Sequence, residues 1–253
     1  MVHFNWTQLI PGVGHEYIHV ATALITGMFL ILISLVARVA LGSNEAAITP
    51  ASRLSVKGFF EVFVEAIYGF TDQIIGHEGR KFVPMFATIF LYIWFNNLMG
   101  LIPGMTPATD NINTNIAVGL FAFVAYHAYG LKEHKGSYVK QFTGPILPSF
   151  SKLATFIPAF IMMSLMFVIE SISHAVRPFS LSLRLQGNMI GDHTVLSIFL
   201  DLVPFPFVNE NFLAILPVPV VFYLLGLFVC TLQAFIFTLL SMIYVSMAIS
   251  HDH

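Results

Sequence analysis

The chain has 253 residues, 57% of them hydrophobic and only 9% charged, with 26 phenylalanines and a mean hydropathy of +0.83. Soluble domains are about a quarter charged, so this composition excludes one and points to an integral membrane protein. The net charge of −2 singles out no partner, and nothing in the sequence calls for nucleic acid.

The apolar runs reach the roughly 20 residues that a helix needs to cross a bilayer, and they lack the period-2 alternation of an outer-membrane barrel. The expected fold is therefore all-α and polytopic, a single membrane domain over 1–253. The N-terminal MVHFNWTQLIPGVGHEYIH has neither the basic region nor the small-residue cleavage site of a signal peptide. The first span, 21–41, is expected to serve as the insertion signal. His15 and His19 have the spacing of helical metal ligands, but no third ligand accompanies them and no metal is expected.

Residues 53–75 mix Arg53, Lys57, Glu61, Glu65 and Asp72 among Phe and Val, the pattern of an amphipathic helix lying at the membrane surface. Spans follow at 82–102 and 116–131. A lysine-rich connector, KEHKGSYVK, then leads to two long helical stretches, 153–203 and 212–250. At about 1.5 Å per residue each exceeds a perpendicular crossing of a roughly 30 Å hydrocarbon core. Both are expected to tilt or bend, with Pro178, Gly187, Gly191, Pro217 and Pro219 as the bending points. The single cysteine, Cys230, lies in an apolar run and reads as packing.

Of the eleven basic residues, all but Arg177 and Arg184 fall in segments that this topology places on one side. By the positive-inside rule that side is cytoplasmic, which puts the N-terminus outside and the C-terminus inside. The expected location is a bacterial inner membrane.

An arginine at the centre of a membrane helix costs between about 2.5 and 17 kcal/mol and cannot be deprotonated to reduce that cost. At roughly 100° per residue, Glu170, Ser173, Arg177, Ser180, Arg184 and Asn188 fall within about 40° of one another, with Asp192 about 80° round from Arg184. His193 lies nearly opposite Arg184. This polar stripe either glues the helix to its neighbours, with Glu170 and Asp192 as counter-ions, or it serves transport. The carboxylate nearest to Arg184 in sequence is two turns away, so a partner carboxylate is expected from another subunit or from a substrate.

SLSLRLQGNMIGDH (Ser180 to His193) resembles a signature of subunit a of the F-type ATP synthase, and TLQAFIFTLLSMIYVSMA (Thr231 to Ala248) is similar to the second signature of that family. NLMGLIP at Asn97 to Pro103 and the placement of Glu170 also fit. The resemblance implies a proton-translocating stator subunit with two offset half-channels, working against a ring of c subunits and held by the b subunits of the peripheral stalk. By the same resemblance Arg184 faces the ring's proton-carrying carboxylates, Asn188 and Gln233 lie beside it, and Glu170 belongs to a half-channel.

The chain departs from a common pattern of the family by carrying His193 where many members have glutamate. It also carries Gly226 where many have histidine or glutamate. Asp192 restores a carboxylate, and the pair Asp192 and His193 is expected to relay protons in the outward half-channel, with histidine titrating near neutral pH. Asp110 sits near an acidic position of the family but fits its spacing poorly, and reads equally as a turn former. Tyr244 resembles a tyrosine of the second signature and otherwise reads as an interfacial anchor.

No P-loop is present, so no nucleotide site, cofactor or catalytic chemistry is expected on this chain. Two rival readings stay open: an autonomous ion-coupled transporter in which Arg184 binds an anionic substrate, and a scaffold whose stripe is only packing. The choice between protons and sodium ions lies with the ring.

Overall fold

The computed structural model describes residues 6–9, 14–41, 55–102, 104–135, 138, 153–202 and 217–249. The ends of the expected segments at 53–54, 203, 212–216 and 250 lie outside them, as do Lys140 and Lys152. Among the described residues there are six α-helices and no strand: α1 (Ile18–Leu41), α2 (Val56–Ile75), α3 (Val83–Met99), α4 (Ile112–His134), α5 (Leu153–Leu202) and α6 (Pro217–Ile249). Short 3-10 turns precede α1, α3 and α4, and the turn His15–Tyr17 puts His15 ahead of the helix that carries His19.

Among the described residues, five segments are long and apolar enough to cross a membrane: Ile18–Val39, His77–Met99, Ile112–His134, Phe160–Asp192 and Tyr223–Ile249. The fold is thus an all-helical, polytopic membrane bundle. The sixth helix, α2, is the amphipathic one. Ser55 caps its start by accepting a hydrogen bond from the Gly58 N–H at 3.2 Å, and Gly76, at φ 83°, ends it in a conformation that favours glycine.

One face of α2 docks on α6. Ile67 and Thr71 are buried there, Phe70 meets Phe235 edge-on at 5.1 Å, and the Ser246 hydroxyl donates to the Ile74 carbonyl at 3.0 Å. Below α2 the 3-10 turn His77–Phe82 is tied to the end of α4 by an ion pair between Lys81 and Glu133 at 3.3 Å.

The core lies where α3, α4, α5 and α6 meet. One cluster centres on Phe82, Phe86, Tyr126, Met242 and Val245, and a second on Ile89, Ile93, Leu181, Leu185, Ala234 and Phe237. The first draws on α2, α3, α4 and α6, and only the second includes α5; in both, α6 contributes apolar residues at three- and four-residue spacing, the period at which one helix face repeats.

α5 is an unbroken helix of 50 residues, about 75 Å long, and its backbone stays helical through Pro178, Gly187 and Gly191. α6 is described from Pro217 onward and its backbone is helical through Pro219, while the residues just before it lie outside the described part.

Small residues set the closest approach. A Cβ on Gly119 of α4 would lie 2.6 Å from the Ser182 hydroxyl and 2.9 Å from the Pro178 carbonyl oxygen of α5. Ser182 uses that contact, its hydroxyl lying 2.9 Å from the Asn115 carbonyl and 2.7 Å from that of Pro178. Such close crossings of small residues are how membrane helices gain packing without a hydrophobic driving force. Gly119→Val is therefore expected to cost about 1–3 kcal/mol through overpacking. Gly69→Ala, in open space on α2, is expected to be neutral or stabilising. Thermal unfolding of the two variants in nanodiscs checks the contrast.

Candidate functional site

The face of α5 that packs inward carries His174, Pro178, Leu181, Ser182, Leu185 and Met189, all buried. The flank beside it carries the polar stripe, and the stripe is graded. Glu170 and Arg177 are half-buried, while Ser173, Ser180, Arg184 and Asn188 are exposed on a face that also presents Leu183, Gly187 and Ile190.

Arg184 makes no ion pair among the described residues. Its nearest stripe neighbour on the outward side, Asn188, turns to α6 and donates through Nδ2 to Oε1 of Gln233. Gln233 is buried, and its own Nε2 has no hydrogen-bond partner among the described residues. Asn188 and Gln233 thus meet between α5 and α6.

Asp192 does not turn back to Arg184. It lies against Gly226 of α6: a Cβ there would sit 3.2 and 3.5 Å from the two carboxylate oxygens and 2.7 Å from Leu101 Cδ2. The carboxylate fills the space that a side chain at position 226 would take. Cys230, one turn further along α6 and buried, is within electrostatic reach of it. His193 follows on α5, and its side chain lies outside the described part of the structure.

On the other side of Arg184 the stripe ends in a second polar cluster. Glu170 accepts from His174 Nε2 at 3.1 Å and is 3.9 Å from the Arg177 guanidinium. Arg177 in turn lies over the Tyr244 ring, 5.0 Å from its centroid. Tyr244 is therefore a cation-π partner rather than only an interfacial anchor. This reading also resolves the role of Arg177, whose counter-ion is Glu170 on its own helix.

His174, Tyr126, His127 and Tyr138 belong to this second cluster and were not singled out from the sequence. The signal was present for His174, one helical turn after Glu170. For Tyr126, His127 and Tyr138 there was none, because they come from α4 and from the connector after it.

Asp110 ends the 3-10 turn Ala108–Asp110, and the adjacent Asn111 caps α4 by accepting from the Asn113 N–H at 2.9 Å. Beneath it the buried Thr109 donates to Asn97 at 2.7 Å, and Asn115 Nδ2 donates to the Thr109 carbonyl at 2.7 Å. Asp110 thus takes part in a turn, and the buried polar contacts at that end are made by its neighbours.

The sequence profile of the ATP synthase A chain family matches residues 20–246. The chain belongs to that family. It is 51% identical over 251 residues to ATP synthase subunit a of Bdellovibrio bacteriovorus, covering 99% of both chains. It is 40% identical over 198 residues to that of Trichlorobacter lovleyi, covering 78% of this chain and 76% of the relative. With the subunit a of Citrifermentans bemidjiense it shares 38% identity over 225 residues, 89% of this chain and 86% of that one. Membership in the ATP synthase A chain family, together with the five apolar spans, makes this a multi-pass membrane protein of ATP synthesis.

The contact between Asn188 and Gln233 has a measurable energetic signature. Asn188→Leu leaves the buried Gln233 amide without its partner and is expected to cost about 1–3 kcal/mol. The double change Asn188→Leu with Gln233→Met removes both polar groups and is expected to recover most of that loss. A double-mutant cycle of thermal unfolding in nanodiscs reads the coupling.

Proposed function

We propose that the chain is the ion-translocating stator subunit of a rotary ATP synthase, passing protons between two offset half-channels and the carboxylates of a ring of c subunits. The reading rests on one observation above all. Arg184 stands on an open face of α5 without an ion pair among the described residues, while Glu170 and Asp192 on the same helix are turned elsewhere. Asp192 faces Gly226 on one side, and Glu170 faces His174 and Arg177 on the other.

A guanidinium in a low-dielectric site favours the ionised form of any carboxylate brought to it. A passing ring carboxylate that is protonated therefore gives up its proton as it comes opposite Arg184, and takes one again after moving on. The fixed positive charge also bars a proton from crossing directly between the two clusters. Along α5 these lie about 12 Å to one side, at Asp192, and about 21 Å to the other, at Glu170. Each charge moved down 100 mV yields about 2.3 kcal/mol, so several are needed for each ATP formed elsewhere in the complex.

Asn188 and Gln233 line the path beside the arginine and hold its surroundings polar. Asp192 with His193 serves the outward half-channel, and Glu170 the inward one. The partners are the c ring, the b subunits of the peripheral stalk and the bilayer of a bacterial inner membrane. The N-terminus is outside and the C-terminus cytoplasmic, as the lysine-rich connector requires. The chain has no catalytic chemistry and no nucleotide site of its own.

An autonomous ion-coupled transporter is the rival. Such proteins place their sites at broken helices in two related halves, whereas α5 and α6 run as continuous helices past Arg184 and Gln233. That continuity favours the stator.

Cysteines at Leu183 and Gly187, beside Arg184 on its exposed face, are expected to cross-link to c subunits in the assembled complex. Absence of any cross-link in an intact complex would overturn the reading. Arg184→Ala is expected to abolish proton-driven ATP synthesis with assembly retained. Asp192→Asn is expected to reduce proton conduction by on the order of tenfold or more, as loss of a proton-transfer group does. Normal conduction in that variant would refute its assignment to the outward half-channel.

A further inference from the structure

The second polar cluster continues beyond Glu170. His174 is buried, and both of its ring nitrogens are engaged, Nε2 with Glu170 at 3.1 Å and Nδ1 with the Tyr126 hydroxyl at 3.0 Å. The Tyr126 ring lies against that of His127, their centroids 4.3 Å apart, and the imidazoles of His127 and His174 are 5.3 Å apart. His127 Nδ1 is 2.8 Å from the hydroxyl of Tyr138.

Tyr138 comes from the connector after α4. Lys135, at φ 49°, turns the chain out of α4, and Tyr138 then packs back on Gly130, where a Cβ would overlap its ring at 2.4 Å. Burial pushes the Tyr138 phenol up from its ordinary range, with Arg177 pulling the other way, so the hydroxyl keeps its proton and can donate and accept. Glu170 and His127 are half-buried, while His174, Tyr126 and, at the connector end, Tyr138 are buried.

We propose that Glu170, His174, Tyr126 and His127 form a proton relay, opened to the connector side by Tyr138, that carries protons between the polar stripe of α5 and the end of α4. The proposal rests on the reading of Glu170 as a half-channel group and names the rest of that half-channel.

Packing alone does not require this arrangement. A helix contact is satisfied by apolar side chains, whereas titratable groups inside a membrane protein are expensive and mark ion pathways. Here two imidazoles, two phenols and a carboxylate are strung in one direction across three segments of chain. The charged groups that face them are few. Arg177 on α5 balances Glu170, also bonds the Tyr126 side chain and lies within electrostatic reach of both histidines and Tyr138, and from α6 the Tyr244 ring covers it.

One passage balances without any co-reactant. The Glu170 carboxyl gives its proton to Nε2 of His174, forming an imidazolium. The Nδ1 proton passes to the Tyr126 hydroxyl, which releases its own proton toward His127. His127 accepts that proton and gives up its Nδ1 proton to the medium by way of the Tyr138 hydroxyl. Glu170 is left as the carboxylate and takes its next proton from the polar stripe, which restores every group to its starting charge; the two rings have exchanged tautomers, and their reorientation resets the chain.

The test uses the whole ATP synthase complex reconstituted in liposomes, with proton pumping recorded while pH on the connector side is varied. His174→Gln and His127→Gln are expected to slow pumping by on the order of tenfold and to change its dependence on connector-side pH. His127→Gly is expected to regain rate when imidazole is added to the medium. Histidine variants with wild-type rate and pH profile would overturn the relay. So would variants that lose rate only in proportion to lost assembly, with the pH profile unchanged and no rescue by imidazole. Glu170→Gln separates the two levels: blocked pumping there beside normal histidine variants refutes the relay alone, and normal pumping in Glu170→Gln refutes the half-channel assignment on which it rests.

Discussion

A guanidinium that cannot lose its proton has to be accommodated as a charge wherever the chain places it, and Arg184 is placed on a membrane helix. The helix around it supplies none of the usual remedies. It has no ion pair among the described residues, and its seam with α3, α4 and α6 is filled by Leu181, Leu185, Ala234 and Phe237. Under the proposed function, the remaining remedy is a negative charge from outside the chain. Much of the rest of the structure follows from keeping that face of α5 open while fastening the opposite one.

The fastening combines close contact with a few polar bonds, such as that of the Ser182 hydroxyl to the Asn115 carbonyl. Gly119 lets α4 approach α5 to the point where its Cα faces the Pro178 carbonyl and the Ser182 hydroxyl. Proline at 178 leaves the carbonyl four residues earlier without its usual N–H partner. The helix nonetheless continues, and neighbours at such close range are what re-satisfy freed backbone groups in membranes. Because α5 is rigid through this crossing, Arg184, Asp192 and Glu170 keep fixed separations along one axis. A charge barrier works only if the groups on its two sides do not drift together.

The sequence displayed the periodic part of this. Five apolar spans, an amphipathic α2 and the ordering of the stripe all follow from spacings of three and four residues within single helices, and so they were legible. What escaped were contacts between helices. Nothing in the run around Tyr126 and His127 shows that they face His174, because the angle at which α4 crosses α5 is set by Gly119 and by packing, not by local pattern. Tyr138 was hidden further still: it sits in a connector that reads only as basic and polar, and its return onto Gly130 depends on the turn at Lys135.

Asp192 and Gly226 show why a missing residue in a pattern is weak grounds for a missing function. The field of a carboxylate depends on where its oxygens lie, not on which helix holds them. With a hydrogen for a side chain, Gly226 leaves a space beside Leu101, and the Asp192 oxygens come to 3.2 and 3.5 Å from the point where a Cβ would stand. A larger residue at 226 and Asp192 in its present rotamer exclude each other sterically. The two positions therefore share one volume between α5 and α6. Reading such a pair position by position loses the carboxylate; reading it as a volume between α5 and α6 finds it.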